Sequence, residues 1–297
     1  MADGDYERPD VRARELGRMQ SELRRFAEER NEARISELSD LYRAYVDTFR
    51  VLSDGPGSKL ALPPMMALKL FHTGKVVEAA KAIASGERFD ARTALVTEAA
   101  ALLHDTGRYE QLRRWNTFRD SDSVDHAVFS HDIVKEKGWL NALVPDVQKR
   151  DAILNAVLYH NRRDIPEGLD KLTEACSHTV RDADKLDIFR VLEDQVEHTD
   201  WKGDSRAFWN LAVSAPPNPV VVDCIEKRLP VAYQDITSLA DFVLIQVGWM
   251  ISGLYYQTSR RICRERDHLE FRRNFLRQLT DDPSIDKLCD LACSVLS

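Results

Sequence analysis

Apolar residues recurring at steps of three and four dominate this 297-residue chain, and that rhythm restricts what it can fold into more than any other feature. Leu16, Met19, Leu23 and Phe26 form one such set. Ile35, Leu38, Tyr42, Tyr45 and Phe49 form a second, with a change of phase between them. Further helices are expected over about 63–85, 91–106, 124–138, 146–160 and 170–196, with Pro145 in a first turn and Gly107 as a stop. The Thr237–Asp241 segment, TSLAD, resembles a capping box opening a buried helix over 238–260, and Asp282-Pro283 opens the last helix. Strand signals are nearly absent, VVVDC at 220–224 being the one short β-branched run. The expected fold is all-α.

The punctuation suggests three parts. A Gly- and Pro-containing break at 53–57 separates an N-terminal helical arm, 1–57, from a core over 58–197. SAPPNP at 214–219 interrupts a helical C-terminal extension, 198–297, expected to pack on the core. The arm is a candidate surface for self-association. Its arginines (Arg12, Arg14, Arg18, Arg24) are interleaved with Glu15, Glu22, Glu28 and Glu29, the pattern of a solvated, ion-paired helix. Together with a net charge of −7, this argues against a nucleic-acid binder. The apolar stretch from Phe242 to Tyr256 is too short and too interrupted for a membrane span. MADGDYERPD lacks the basic-then-apolar form of a secretion signal. The five cysteines, with no CxxC pair, are expected as reduced thiols. These readings favour a cytoplasmic protein without a membrane partner.

Chemistry concentrates in two strings, LLHDTG at 102–107 and RDADKLD at 181–187. His104 and Asp105 end an apolar helical run, where adjacent side chains point in different directions. Asp184 follows the apolar phase of Val180 and Ala183, whereas Asp182 and Asp187 read as supporting acceptors or caps. His72, in LKLFHTGKVVEAA, would by itself read as a core histidine. SVDHAVFSHDIV offers His126 or, five residues on, His131, and LYHNRRDIP offers His160 at a helix end. Imidazoles and carboxylates without a cysteine suit Mn, Fe, Co, Ni, Zn or Mg, and lean toward hydrolytic chemistry. Cationic candidates for holding a phosphoryl group are Arg108, Lys75, Lys185 and, foremost, Arg162 and Arg163. His131 and Asp132 are candidate acids for a leaving group. Tyr109, Trp115 and Phe118 would stack on a nucleobase or pack down as a lid.

Over about residues 65–190, this order of residues resembles the HD-domain metal-dependent phosphohydrolase superfamily, whose pattern is a His, a His-Asp dyad and a final Asp on a helical core. His72, His104-Asp105 and Asp184 match it, and DHAVFSHDIV and LYHN resemble the added histidine segments of members with two metals. The resemblance implies an HD-domain-like helical bundle holding one or two divalent ions, manganese among the candidates. Asp105 would bridge, with His72, His104 and Asp184 on one ion and His126 and His160 on the other. It also implies hydrolysis of a small phosphorylated substrate, a phosphomonoester or phosphodiester of nucleotide-like kind. A metal pair about 3.5–4 Å apart would activate the attacking water. Asp105, Arg162, Arg163 and Lys185 are the expected catalytic groups. A non-catalytic HD-type signalling or scaffold protein is the competing reading. No GYP follows His160, so the cyclic-di-GMP phosphodiesterase branch is not indicated.

Overall fold

A computed structural model describes residues 18, 21, 34–52, 58–202, 208 and 211–297. Most of the first half of the expected arm and the 53–57 break lie outside the described residues. The second half of the arm is helical over 34–47 (α1). It buries Leu38, Tyr42 and Val46, one helical turn apart, and Tyr42 reaches Tyr109 with its hydroxyl at 3.0 Å. A two-residue antiparallel pairing, β1 (Val51–Leu52) with β2 (Leu60–Ala61), follows.

The core is built by α2 (Pro64–Gly86), α3 (Ala91–Leu103), α4 (Gly107–Trp115), α5 (His126–Lys137), α6 (Trp139–Leu143), α7 (Val147–Tyr159) and α8 (Lys171–His198). Their starts are written in the sequence. Pro64 begins α2, where a missing N–H costs nothing. Asp90, Asp125, Asp146 and Asp170 each accept backbone N–H groups as N-caps of α3, α5, α7 and α8. α2, α3, α7 and α8 pack against one another, and α5 lies on α7. The run Ala99–Ala101 is buried, and its small side chains let α3 approach α2 and α8 closely.

The remainder comprises α9 (Pro219–Glu226), α10 (Leu239–Gly248), a π-helical turn (Trp249–Gly253), α11 (Gln257–Glu265), α12 (His268–Leu279) and α13 (Ser284–Leu296). α11 and α12 pack on α8, and α11 also meets α2, where Thr258 fills the space that a Cβ at Gly86 would need. Among the described residues, no helix is long and apolar enough to cross a membrane. All five cysteines are unpaired thiols.

One β-branched run resolves, and two local expectations are corrected. VVVDC lies in α9 rather than a strand, because Asn218 caps Val220 and Pro219 supplies the first turn. The 238–260 helix ends at Gly248 and gives way to the π turn and a corner at Leu254–Tyr256, although Ser238 and Asp241 do form the capping box. Gly107 starts α4 instead of stopping a helix. Its N–H donates to Ser130 Oγ at 2.9 Å, and a Cβ there would sit 2.7 Å from the Ser130 nitrogen, so glycine serves the close packing of α4 on α5.

Candidate metal centre

Five helices deliver six side chains to one buried point. α2 brings His72, the end of α3 brings His104 and Asp105, the first turn of α5 brings His126, the end of α7 brings His160, and α8 brings Asp184. Two groups result, His72 with His104 and Asp184, and Asp105 with His126 and His160. Within each, the ligand atoms lie within 4.8 Å of one another. Asp105, 2% exposed, stands between them. Its Oδ2 is 3.7 Å from His72 Nε2 and 3.5 Å from His104 Nε2, while its Oδ1 is 3.8 Å from His126 Nε2 and 3.7 Å from His160 Nε2.

Every one of these rings spends its Nδ1–H elsewhere. His72 donates to Asp187 Oδ2 at 2.6 Å, and His126 to Asp120 Oδ2 at 2.5 Å. His104 and His160 donate to the carbonyls of Ala101 and Val157, each at 2.7 Å. Because a carbonyl or an ionised carboxylate only accepts, Nδ1 must carry the proton, which turns the Nε2 lone pairs toward the centre. Burial, then Arg108, lowers His126 to about 4, and burial lowers His104 to about 4 against the pull of Asp105, so both are neutral donors at pH 7. Among the described residues, His72 Nε2 and His104 Nε2 are buried without a hydrogen-bond partner, His72 Nε2 lying 3.1 Å from Asp184 Oδ1, and His126 Nε2 faces His160 Nε2 at 3.0 Å. Lone pairs converging in this way are costly unless a cation occupies the space between them. The donor set thus fits one or two divalent ions.

Charge around the bridge is balanced closely. Burial pushes Asp105 upward, but Lys69, His104, His160 and Arg108 outweigh it and hold the carboxyl well below the usual range. Lys69 Nζ donates to Oδ2 at 2.8 Å, and Arg108 Nε lies 3.4 Å from Oδ1. Both cations lie 5.6 Å from the Phe118 ring centroid. Arg108 also bonds Gln111, the Phe118 carbonyl and Asp120, which fixes it beside the site.

A family model described as HD domain matches residues 70–188. Residues 70–188 are thus an HD domain. No curated protein and no solved structure matches it. This HD domain carries His72, the His104-Asp105 dyad and Asp184 in that order, with His126 and His160 between the dyad and Asp184, on an all-helical core. His131, the alternative to His126, lies away from the centre and pairs with Asp132 at 2.8 Å; neither lines the cleft beside the ligands.

That cleft, about 1330 Å³ in volume, runs from Asp105 and His160 along the 161–169 loop to the residues after α8. Arg162 and Arg163 line it but pair with Asp125 at 3.0 Å and Asp164 at 3.2 Å, so the cations touching Asp105 are Lys69 and Arg108 instead. Arg181 ties their loop to α8 by donating to the carbonyls of Tyr159, Arg162 and Arg163. Lys185 lines the cleft, donates to the Arg181 carbonyl at 3.2 Å, and is lowered to about 8 by burial and Arg181. Lys75 faces outward on Glu78, and Tyr109 is fully buried against Tyr42, so neither has the role expected of it. Trp115 packs edge-on against Phe129. Lys69 and Asp120 escaped the sequence reading. Lys69 precedes His72 by three residues and therefore shares its helix face, a signal that was present in the spacing; Asp120 had none.

Proposed function

We propose that this protein is a metal-dependent hydrolase of phosphate esters, with its reacting phosphoryl group held at the Asp105 centre. The observation that carries this reading is the position of one buried carboxylate between two sets of inward-facing ligands, its two oxygens turned to different sets. His72, His104 and Asp184 would hold one divalent ion, His126 and His160 a second, and Asp105 both. Such a pair supplies a water-derived nucleophile at neutral pH and neutralises charge on the phosphoryl oxygens.

The chain's own groups do the rest. Asp120 and Asp187 fix the tautomer and orientation of His126 and His72. Lys69 and Arg108, fixed positive charges at the same point, would draw an anionic ester inward and stabilise charge that accumulates on its oxygens during attack. Arg162 and Arg163 line the cleft and would guide the anion toward the centre, and Lys185 would contact it there. A full complement of ligands favours an enzyme over a scaffold, because nothing in a scaffold requires lone pairs to be kept unspent.

The test is phosphate-ester turnover by protein supplied with Mn²⁺, using p-nitrophenyl phosphate, bis(p-nitrophenyl) phosphate and a set of nucleotides. Turnover of a monoester or a diester is expected, lost in Asp105→Ala with an unchanged circular dichroism spectrum. Turnover that survives Asp105→Ala would remove the proposal.

A further inference from the structure

The cleft is larger than the roughly 300–1,000 Å³ of ordinary small-molecule sites, and its two ends differ in chemistry. One end holds the ligands with Lys69 and Arg108. The other carries a hydrocarbon stripe, Ile188 from α8, Ile225 from α9, Leu229 and Val231 from the segment after it, and Ile245 and Trp249 from α10 and the π turn, with Arg228, Tyr233, Ser252 and Arg260 also lining that end. Leu229 is 52% exposed, although it belongs to this wall.

Among the described residues beyond 188, no Asn, Gln, Thr, Asp or Glu lines the cleft. The polar side chains that do are Arg228, Tyr233, Ser252, Tyr255 and Arg260, and the last three are engaged. Ser252 donates to the Gly248 carbonyl at 3.3 Å, Arg260 to the Leu254 carbonyl at 3.2 and 3.0 Å, and the Tyr255 ring lies flat on His178 with centroids 3.7 Å apart. A nucleobase is discriminated by donors and acceptors set against its edge, and among the described residues this end offers no carboxylate or amide side chain for that purpose. It presents apolar surface, which rewards covering by hydrocarbon.

The wall is anchored to the ligand helix. Asp182, two residues before Asp184 on α8, accepts the Tyr255 N–H at 3.0 Å and the Tyr256 N–H at 2.9 Å. Gly253 packs against Trp249 and Lys185, where a Cβ would sit 3.2 Å from Trp249 Cβ and 3.4 Å from Lys185 Cε. The apolar surface is thus held at a fixed offset from the phosphoryl position.

Resting on the phosphohydrolase reading, we infer that the substrates are phosphate esters of apolar alcohols, alkyl or aryl, whose hydrocarbon lies along the Ile188–Trp249 wall. Water adds its oxygen to phosphorus, the bond from phosphorus to the alcohol oxygen breaks, and the alcohol leaves carrying one of the water protons.

Two measurements on the Mn²⁺-loaded protein test this. Calorimetric binding of methyl, butyl and octyl phosphonates, whose C–P bond is not hydrolysed, reads the wall without turnover. Phosphate release from methyl, butyl and octyl phosphate and from AMP and UMP reads the preference of the reaction. Affinity should rise about two- to fourfold per methylene, and octyl phosphate should be turned over in preference to either nucleotide. Leu229→Asp, at an exposed position, should flatten the chain-length gain; if that variant fails to fold, the wild-type series still decides. Octyl phosphonate binding no tighter than methyl phosphonate, or a preference for AMP, would overturn the inference while leaving phosphohydrolysis intact. Chain-length-dependent binding with no phosphate released from any ester would support the ligand class and overturn the hydrolytic reading.

Discussion

α8 carries two buried polar clusters, and they differ in how their groups are used. At Asp184, two to three turns upstream, four rings and two carboxylates point acceptors at one another. At Glu193 the charges answer each other, although Gln246 Nε2 and His268 Nε2 find no partner among the described residues. Arg272, fully buried, donates to Glu193 Oε1 at 2.7 Å, to Gln246 Oε1 at 3.0 and 2.8 Å, and to the carbonyls of Phe189 and His268. His268 Nδ1 adds a further bond to Glu193 at 2.6 Å. The second cluster locks α8 to α10 and α12, since its guanidinium pairs with a carboxylate and satisfies three other acceptors. The first is a set of acceptors that a cation could complete. Burial and polarity are shared; the balance of donors against acceptors separates a clamp from a site.

The largest effect should come from breaking the clamp. Arg272→Met strands the Glu193 carboxylate and should lower unfolding free energy by about 3–5 kcal/mol in urea titrations. The metal content of the folded fraction should stay constant. Loss of metal from folded Arg272→Met would mean that the two clusters are one unit and would dissolve the distinction.

Asp120→Asn probes the opposite cluster from its outer layer. Without a carboxylate against His126 Nδ1, metal affinity should fall about 10–100-fold by competition with a chelator. Stability of the metal-free protein should change little, because Asp120 is only half-buried. A change in metal-free stability as large as that of Arg272→Met would assign Asp120 to the structural group instead.

Asp182→Asn should be the mildest, about 1 kcal/mol, since the amide oxygen can still accept from one of the two N–H groups at Tyr255 and Tyr256. Faster hydrogen exchange confined to residues 254–256 is the expected signature. Altered exchange at His104 or Asp105 would show that the cleft wall and the ligands move together.

How much was legible in the sequence follows the same division. Helices announced themselves through periodicity and aspartate caps, and the ligands through their order along the chain, because both are patterns distributed over many residues. Gly107 misled because a glycine admitted for close packing and one that ends a helix look alike in a single sequence. VVVDC is helical because Asn218 and Pro219 outweigh β-branched propensity locally. The end of α10 had no mark, since Gly248 to Gly253 continues the apolar run through the π turn. Lys69 is marked by its spacing from His72, whereas Asp120 is a single charge that only folding brings to His126.

The account turns on cations filling the space that these lone pairs surround. Diffraction at the manganese absorption edge, from crystals grown with Mn²⁺, tests it directly. Anomalous density is predicted against Asp105, between His72, His104 and Asp184 on one side and His126 and His160 on the other. No density there, or an ion held only by Asp120, Asp125 and His126, would contradict it.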